Sequence, residues 1–318
     1  MIVPMRVVAA GRRQHADAVH EAYLRRLPSD LRAGPPQPRV STWWRHAGAD
    51  VHVERVGDPA APRRAVLLHG AGGHAAAMWP FASMAARRGM HVVVPDLPGY
   101  GRTRVPRPGR VRYPDWVALA CDLLRAERAA HDGPLLLAGA SLGGMVAYDA
   151  ATRTGAADAL VATCLPDPRD PVVRRHVTRV PWVGATARPA LRLLAGPLAG
   201  VRVPVRWLTN MRAIANDPGL VDLVVRDERG GGGRVPLGFL RSFLDSAPAV
   251  EPEDATGPRV VLAHPEDDRW TPTAMSLRFF DRIAAPKELV LLSGAGHYPV
   301  EAPGVHQLVD AIDRALGG

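Results

Sequence analysis

Cysteine, lysine and aromatic side chains are all scarce in this chain, and each shortage removes a class of function. Two cysteines, Cys121 and Cys164, among 318 residues cannot build a disulfide framework, so a reducing compartment is expected. Aromatic residues make up only 5%. A surface that stacks nucleic-acid bases needs more of them, interleaved with a basic stripe. Lys287 is the sole lysine, and every other one of the 40 basic residues is arginine. Those arginines are scattered along the chain, so the net charge of +9 reads as a solvated surface and a genome rich in G and C. No nucleic-acid partner is expected. Long apolar runs are missing too: residues 1–10 are apolar but broken by Pro4 and Arg6, and no small-residue cleavage site follows. The expectation is no secretion signal, no integral membrane segment and a cytoplasmic location.

Glycine and proline are plentiful at 31 each, and hydrophobic residues reach 47%. That composition suits a globular chain with many loops, long enough for one large α/β domain with an insertion. The stretch Pro134–Tyr148 organises the rest. Leu135-Leu136-Leu137 suits a buried strand, Gly139-Ala140-Ser141-Leu142-Gly143 is a G-x-S-x-G turn, and Leu142–Thr154 suits a helix. A serine in a sharp strand-to-helix turn is lifted clear of the sheet on a strained backbone, and small neighbours let the turn close. The helix behind it leaves backbone N–H groups free beside the serine.

Strand and helix alternate around this turn. Residues 12–27 carry apolar positions at helical spacing and form an N-terminal arm ended by Pro28. A hairpin follows, 40–44 with 51–56, turning at Gly48. Then come a strand at 65–68, a helix at 75–88, a strand at 91–95, a helix at 115–130, the elbow, and a strand at 159–164. Such alternation implies a mainly parallel sheet with helices on both faces. It breaks from 166 to 257, a block with prolines, Trp182, Trp207 and the run Gly230-Gly231-Gly232-Gly233, and resumes with strands at 259–263 and 288–292. The expected division is an N-terminal helical arm (1–40), an α/β core (41–165 and 258–318) and an inserted, mostly helical cap (166–257). The glycine run follows charged residues and lacks a Gly-Lys-Ser/Thr ending, so it reads as a flexible cap loop and not as a phosphate cradle.

A serine hydroxyl needs a base, the base needs an orienting carboxylate, and the developing oxyanion needs donors. His297 stands in Gly294-Ala295-Gly296-His297, a glycine loop just past the last strand, where ligands of open α/β sheets bind. The acid is Asp268, after the 259–263 strand and four residues before Pro272. Glu266 and Asp267 are rivals, with Asp167 and Asp170 further outsiders.

With these residues the chain resembles the α/β-hydrolase fold family, and within it the lidded esterase, lysophospholipase and monoacylglycerol-lipase-like members. The carriers are His69-Gly70-Ala71-Gly72-Gly73, Asp96-Leu97-Pro98-Gly99-Tyr100-Gly101, the G-x-S-x-G, Asp268 with Pro272, and Gly294–His297, in the family's Ser…Asp…His order. Pro265 departs from the glycine often found before the acid and leaves Asp267 in contention. The resemblance implies an oxyanion hole from the backbone N–H groups of Ala71 and Leu142, which agrees with the freedom that Gly70 and Gly72 give the loop. His69 reads as structural, Asp96–Gly101 as a turn scaffold, and His74 and Met145 as candidate pocket residues.

The function expected on this basis is hydrolysis of a carboxylic ester with an apolar portion, through an acyl-serine at Ser141, with no metal and no organic cofactor. Thioesterase, amidase, C–C hydrolase and acyltransferase chemistry use the same three residues and stay open. A small-ligand receptor on a hydrolase scaffold is the alternative of another class. Haloalkane dehalogenases and epoxide hydrolases would carry aspartate in place of Ser141.

Overall fold

The computed structural model describes residues 13–177 and 196–317. Residues 1–10 and Trp182 fall outside them. Helix α1 (Arg13–Leu24) and the short α2 (Ser29–Arg32) precede the hairpin of β1 (Arg39–His46) and β2 (Ala49–Val56). Ala47 and Gly48 both take positive φ, 45° and 81°. A two-residue turn that matches the right-handed twist of its strands requires that backbone.

The core continues with β3 (Arg63–Leu68), α3 (Trp79–Arg87), β4 (Met90–Pro95), α4 (Tyr113–Ala129), β5 (Leu135–Gly139), α5 (Leu142–Thr154) and β6 (Ala159–Ala162). After the insertion come β9 (Arg259–Pro265), α10 (Thr273–Phe280), β10 (Lys287–Leu292) and α11 (Gly304–Ala315). The eight strands run β1-β2-β4-β3-β5-β6-β9-β10. The pairs at the hairpin end are antiparallel, and from β4 to β10 every pair is parallel. Helices α4 and α5 pack together, as do α3 and α11. The strands between them are apolar without alternation, because parallel strands covered on both faces have no wet side. α3 starts four residues later than its pattern suggested: Asp96 Oδ1 accepts the Ala75 N–H and holds 75–78 as turns.

Between β6 and β9 lie α6 (Pro171–Val177), β7 (Arg202–Pro204), α7 (Val205–Leu208), α8 (Pro218–Arg226), β8 (Arg234–Pro236) and α9 (Leu237–Leu244). β7 and β8 pair antiparallel as a separate two-stranded sheet. Sequence reading expected no such strands, since three residues ending in proline are too short for alternation to show. The Gly230–Gly233 run also needs correction. Gly230 and Gly231 are buried, and a Cβ at Gly230 would meet the Gly72 carbonyl at 2.6 Å. This is a tight turn pressed onto the Gly70–Gly73 loop, glycine because two backbones meet, and not a flexible loop.

Candidate active site

Ser141 occupies φ 53°, ψ −126° between β5 and α5. A side chain bearing Cβ rarely adopts that conformation, and it persists only where the surroundings over-determine it. They do so here. Ala140 N–H donates to the Leu68 carbonyl at 2.9 Å and Ser141 N–H to Thr163 Oγ1 at 3.2 Å. A Cβ at Gly139 would fall 2.2 Å from the Gly143 carbonyl oxygen. Strand and helix therefore close on one another without room for a methyl group.

The Gly70–Gly73 loop crosses directly over the turn. A Cβ at Gly70 would lie 2.9 Å from Ser141 Cβ and 3.3 Å from the Leu142 nitrogen. The N–H groups of Ala71 and Leu142 have no acceptor among the described residues, and Leu142 as first residue of its helix has none within it. His69 is fully buried: its Nδ1–H donates to the Gly70 carbonyl and its Nε2 accepts the Leu97 N–H at 2.9 Å. Burial lowers it to about 4, so it stays neutral and braces the loop. Asp96 is a brace as well. Its carboxylate accepts from Ala75 N–H, Arg102 N–H and His52 Nδ1, donors that outweigh burial and hold it well below the usual carboxylate range.

Asp268 leaves β9 on a turn that its own side chain closes, with Oδ1 accepting the N–H groups of Trp270 and Thr271 at 2.8 Å each. Thr271 Oγ1 donates to Oδ2 at 2.6 Å. His297 Nδ1–H reaches the same Oδ2 at 2.7 Å. Burial opposes the carboxylate charge, yet His297 and these donors hold it down at about 2. With Nδ1 engaged, Nε2 is the free ring nitrogen of His297, and it is buried without a hydrogen-bond partner. His297 and Ser141 line the same cavity, which has a volume of about 90 Å³ and almost wholly apolar walls.

The structure separates the rival acids. Glu266 and Asp267 are exposed, Asp167 is tied to Arg169 and Asp170 to Arg278. Two pocket expectations fail. Met145 is buried in the core and does not reach the cavity. His74 neither lines the cavity nor faces solvent: its Nε2 pairs with Asp227 Oδ2 at 2.6 Å, just past α8. Burial works against its charge, but Asp227 outweighs that and raises it. Sequence reading missed Tyr23, which lines the cavity, donates to Asp227 at 3.1 Å and stacks on Tyr298. On its helix it was one more apolar position facing the core. Thr271 was missed as well, although a threonine three residues after the acid is a local signal.

The inserted segment meets both loops. Ile214 O accepts the Tyr298 N–H at 2.8 Å beside His297, and Arg229 O accepts the Gly101 N–H at 2.9 Å. Met211, Ile214 and Val224 complete the cavity wall.

Residues 65–309 match the model of the alpha/beta hydrolase family. No curated protein matches the chain significantly. Among solved structures, a monoacylglycerol lipase from Paleococcus ferrophilus is similar at 20% identity and TM-score 0.65, covering 84% of this chain and 98% of that one. A soluble variant of monoglyceride lipase from Saccharomyces cerevisiae, in complex with a substrate analog, gives 16%, 0.71, 92% and 98%. A 2-hydroxy-6-oxo-6-phenylhexa-2,4-dienoate hydrolase from Rhodococcus sp. strain RHA1 gives 22%, 0.61, 89% and 100%. At these identities the likeness is one of fold.

Proposed function

Because the chain belongs to the alpha/beta hydrolase family, we propose that it hydrolyses a carboxylic ester with an apolar portion through an acyl-serine intermediate on Ser141. One observation carries this reading: an imidazole oriented at Nδ1 by a buried carboxylate keeps Nε2 unpartnered in the cavity that the strained Ser141 lines. The apolar wall supports an apolar substrate, and residues 166–257, which contribute Met211, Ile214 and Val224 to it, act as its cap.

Ser141 Oγ attacks the carbonyl carbon while His297 Nε2 takes its proton. The N–H groups of Ala71 and Leu142 receive the oxyanion. Asp268 keeps the imidazole in its Nδ1–H tautomer and supports the imidazolium. Collapse expels the alcohol, protonated by His297. Water then attacks the acyl-serine, gives its proton to His297, and the acid leaves as Ser141 recovers its hydrogen. Every step balances with one water consumed.

The test is direct. A fluorophosphonate should add to Ser141 by intact mass, and p-nitrophenyl ester hydrolysis should vanish in Ser141→Ala. A protein that resists the label and cleaves no ester, amide or thioester would instead be a ligand-binding member of the fold.

A further inference from the structure

Ala138 sits in the central strand β5 and is nonetheless partly accessible, while Leu135, Leu136 and Leu137 before it are closed off. The opening that reaches it is the cavity beneath Ser141. Register sets Leu67 beside Ala138 and Ala138 beside Val161, so the three form one row across β3, β5 and β6. All three line the cavity. Phe81 of α3 also lines it, with Leu308 and Ile312, one turn apart on α11. Apart from Ala138, each of these residues is buried. The cavity therefore extends from Ser141 to Ala138, where buried side chains of the sheet and of the α3–α11 pair wall a limb of it. Leu67 and Val161 fill the row on either side, and the small Ala138 side chain keeps the limb open.

On the ester-hydrolase reading, we propose that this limb ends blind and is the acyl pocket, that it takes a straight hydrocarbon chain, and that Ala138 sets its bore. The blind end decides which half of the ester enters. The alcohol must depart before water attacks, and an alcohol held below the acyl-serine would have no way out. The acyl group stays attached and needs none. No lining side chain in the limb can form a hydrogen bond, so a hydroxylated or charged chain would be stranded there. Ala138 lies three residues before Ser141, at most about 10 Å along an extended strand. Carbon–carbon bonds of about 1.5 Å advance roughly 1.25 Å each along a zigzag, which sets a length of about eight carbons.

The experiment compares p-nitrophenyl acetate, octanoate, decanoate and the branched isomer 2-propylpentanoate on the full chain. Octanoate is expected to exceed both acetate and the branched ester in kcat/KM by about tenfold or more, well within the gain that added buried methylenes allow. Ala138→Leu should lower the octanoate-to-acetate ratio by about tenfold or more, and Ile312→Ala should move the optimum towards decanoate. Octanoate no better than acetate, equal rates for the two eight-carbon isomers, or a ratio unmoved in both variants would overturn the pocket. If Ala138→Leu does not fold by circular dichroism, Ile312→Ala decides. Fluorophosphonate labelling of wild-type Ser141 keeps the failures apart. Labelled protein that cleaves acetate but shows no chain preference loses the acyl pocket alone. Unlabelled protein that cleaves no ester loses the hydrolase reading, and the pocket with it.

Discussion

Two histidine–aspartate pairs stand near the cavity, the buried His297 with Asp268 and His74 with the half-buried Asp227, and nearly equal bond lengths of 2.7 and 2.6 Å hide opposite situations. Asp268 binds the Nδ1 of its partner, has its remaining valences met by its own turn, and leaves His297 Nε2 bare in the cavity. Asp227 binds the Nε2 of His74, shares its oxygen with Tyr23, and lies off the cavity. It joins the N-terminal helix, the inserted segment and the loop after β3 at one point. The same two residue types suit proton transfer, on the proposed reading, where the spare ring nitrogen faces the cavity that Ser141 lines, and make a clasp where the pair lies off that cavity.

The largest effect that separates the pairs is on turnover. Ser141→Ala or His297→Ala should lower kcat/KM for an ester by about a thousandfold or more, with unchanged circular dichroism, whereas His74→Gln should cost about tenfold or less. Equal losses at the two histidines would erase the distinction. Stability should show the reverse order. Removing one member of a largely buried ion pair costs about 3 kcal/mol, so Asp227→Asn should lower the thermal midpoint by several degrees and raise KM as the segment that carries Met211, Ile214 and Val224 loosens. A smaller effect lies in the pH dependence of stability. The Asp268 carboxyl is depressed, so its contribution is present above the ordinary carboxylate value near 4 and is lost as pH falls towards about 2. His74 is raised, so its contribution is full below about 6.5 and is lost as pH rises past its shifted value. Thermal midpoints across pH should show a blunted acid limb in Asp268→Asn and a blunted alkaline limb in His74→Gln; limbs unchanged from wild type would break the comparison. The smallest effect belongs to Tyr23→Phe, which removes one hydrogen bond to Asp227 and should cost about 1 kcal/mol in denaturant unfolding. A cost of nil would leave Tyr23 as cavity wall only.

Local sequence carried the chemistry further than the architecture around it. The strand, the G-x-S-x-G and the following helix are consecutive in the chain, so Ser141 and its turn were readable from neighbours alone. His297 and Asp268 were readable because each follows its own strand at the rim of a parallel sheet, where the topology must bring them together. The spacing to Pro272 favoured Asp268 but left Asp267 in contention, and only the fold buries one against His297 and exposes the other. Tyr23 and Asp227 are 204 residues apart. Nothing near either announces the other.

From the amino-acid order alone follow the wound sheet, the elbow and the residue types of its chemistry, because hydrophobic period and turn residues act over a few positions. Tertiary packing decided the rest: His74 as a clasp, Gly230–Gly233 as a tight seam, and an opening beside Ala138 in the middle of the sheet. These depend on which surfaces meet after the chain has closed on itself, and a side chain's contacts across such a meeting leave no mark on its immediate neighbours.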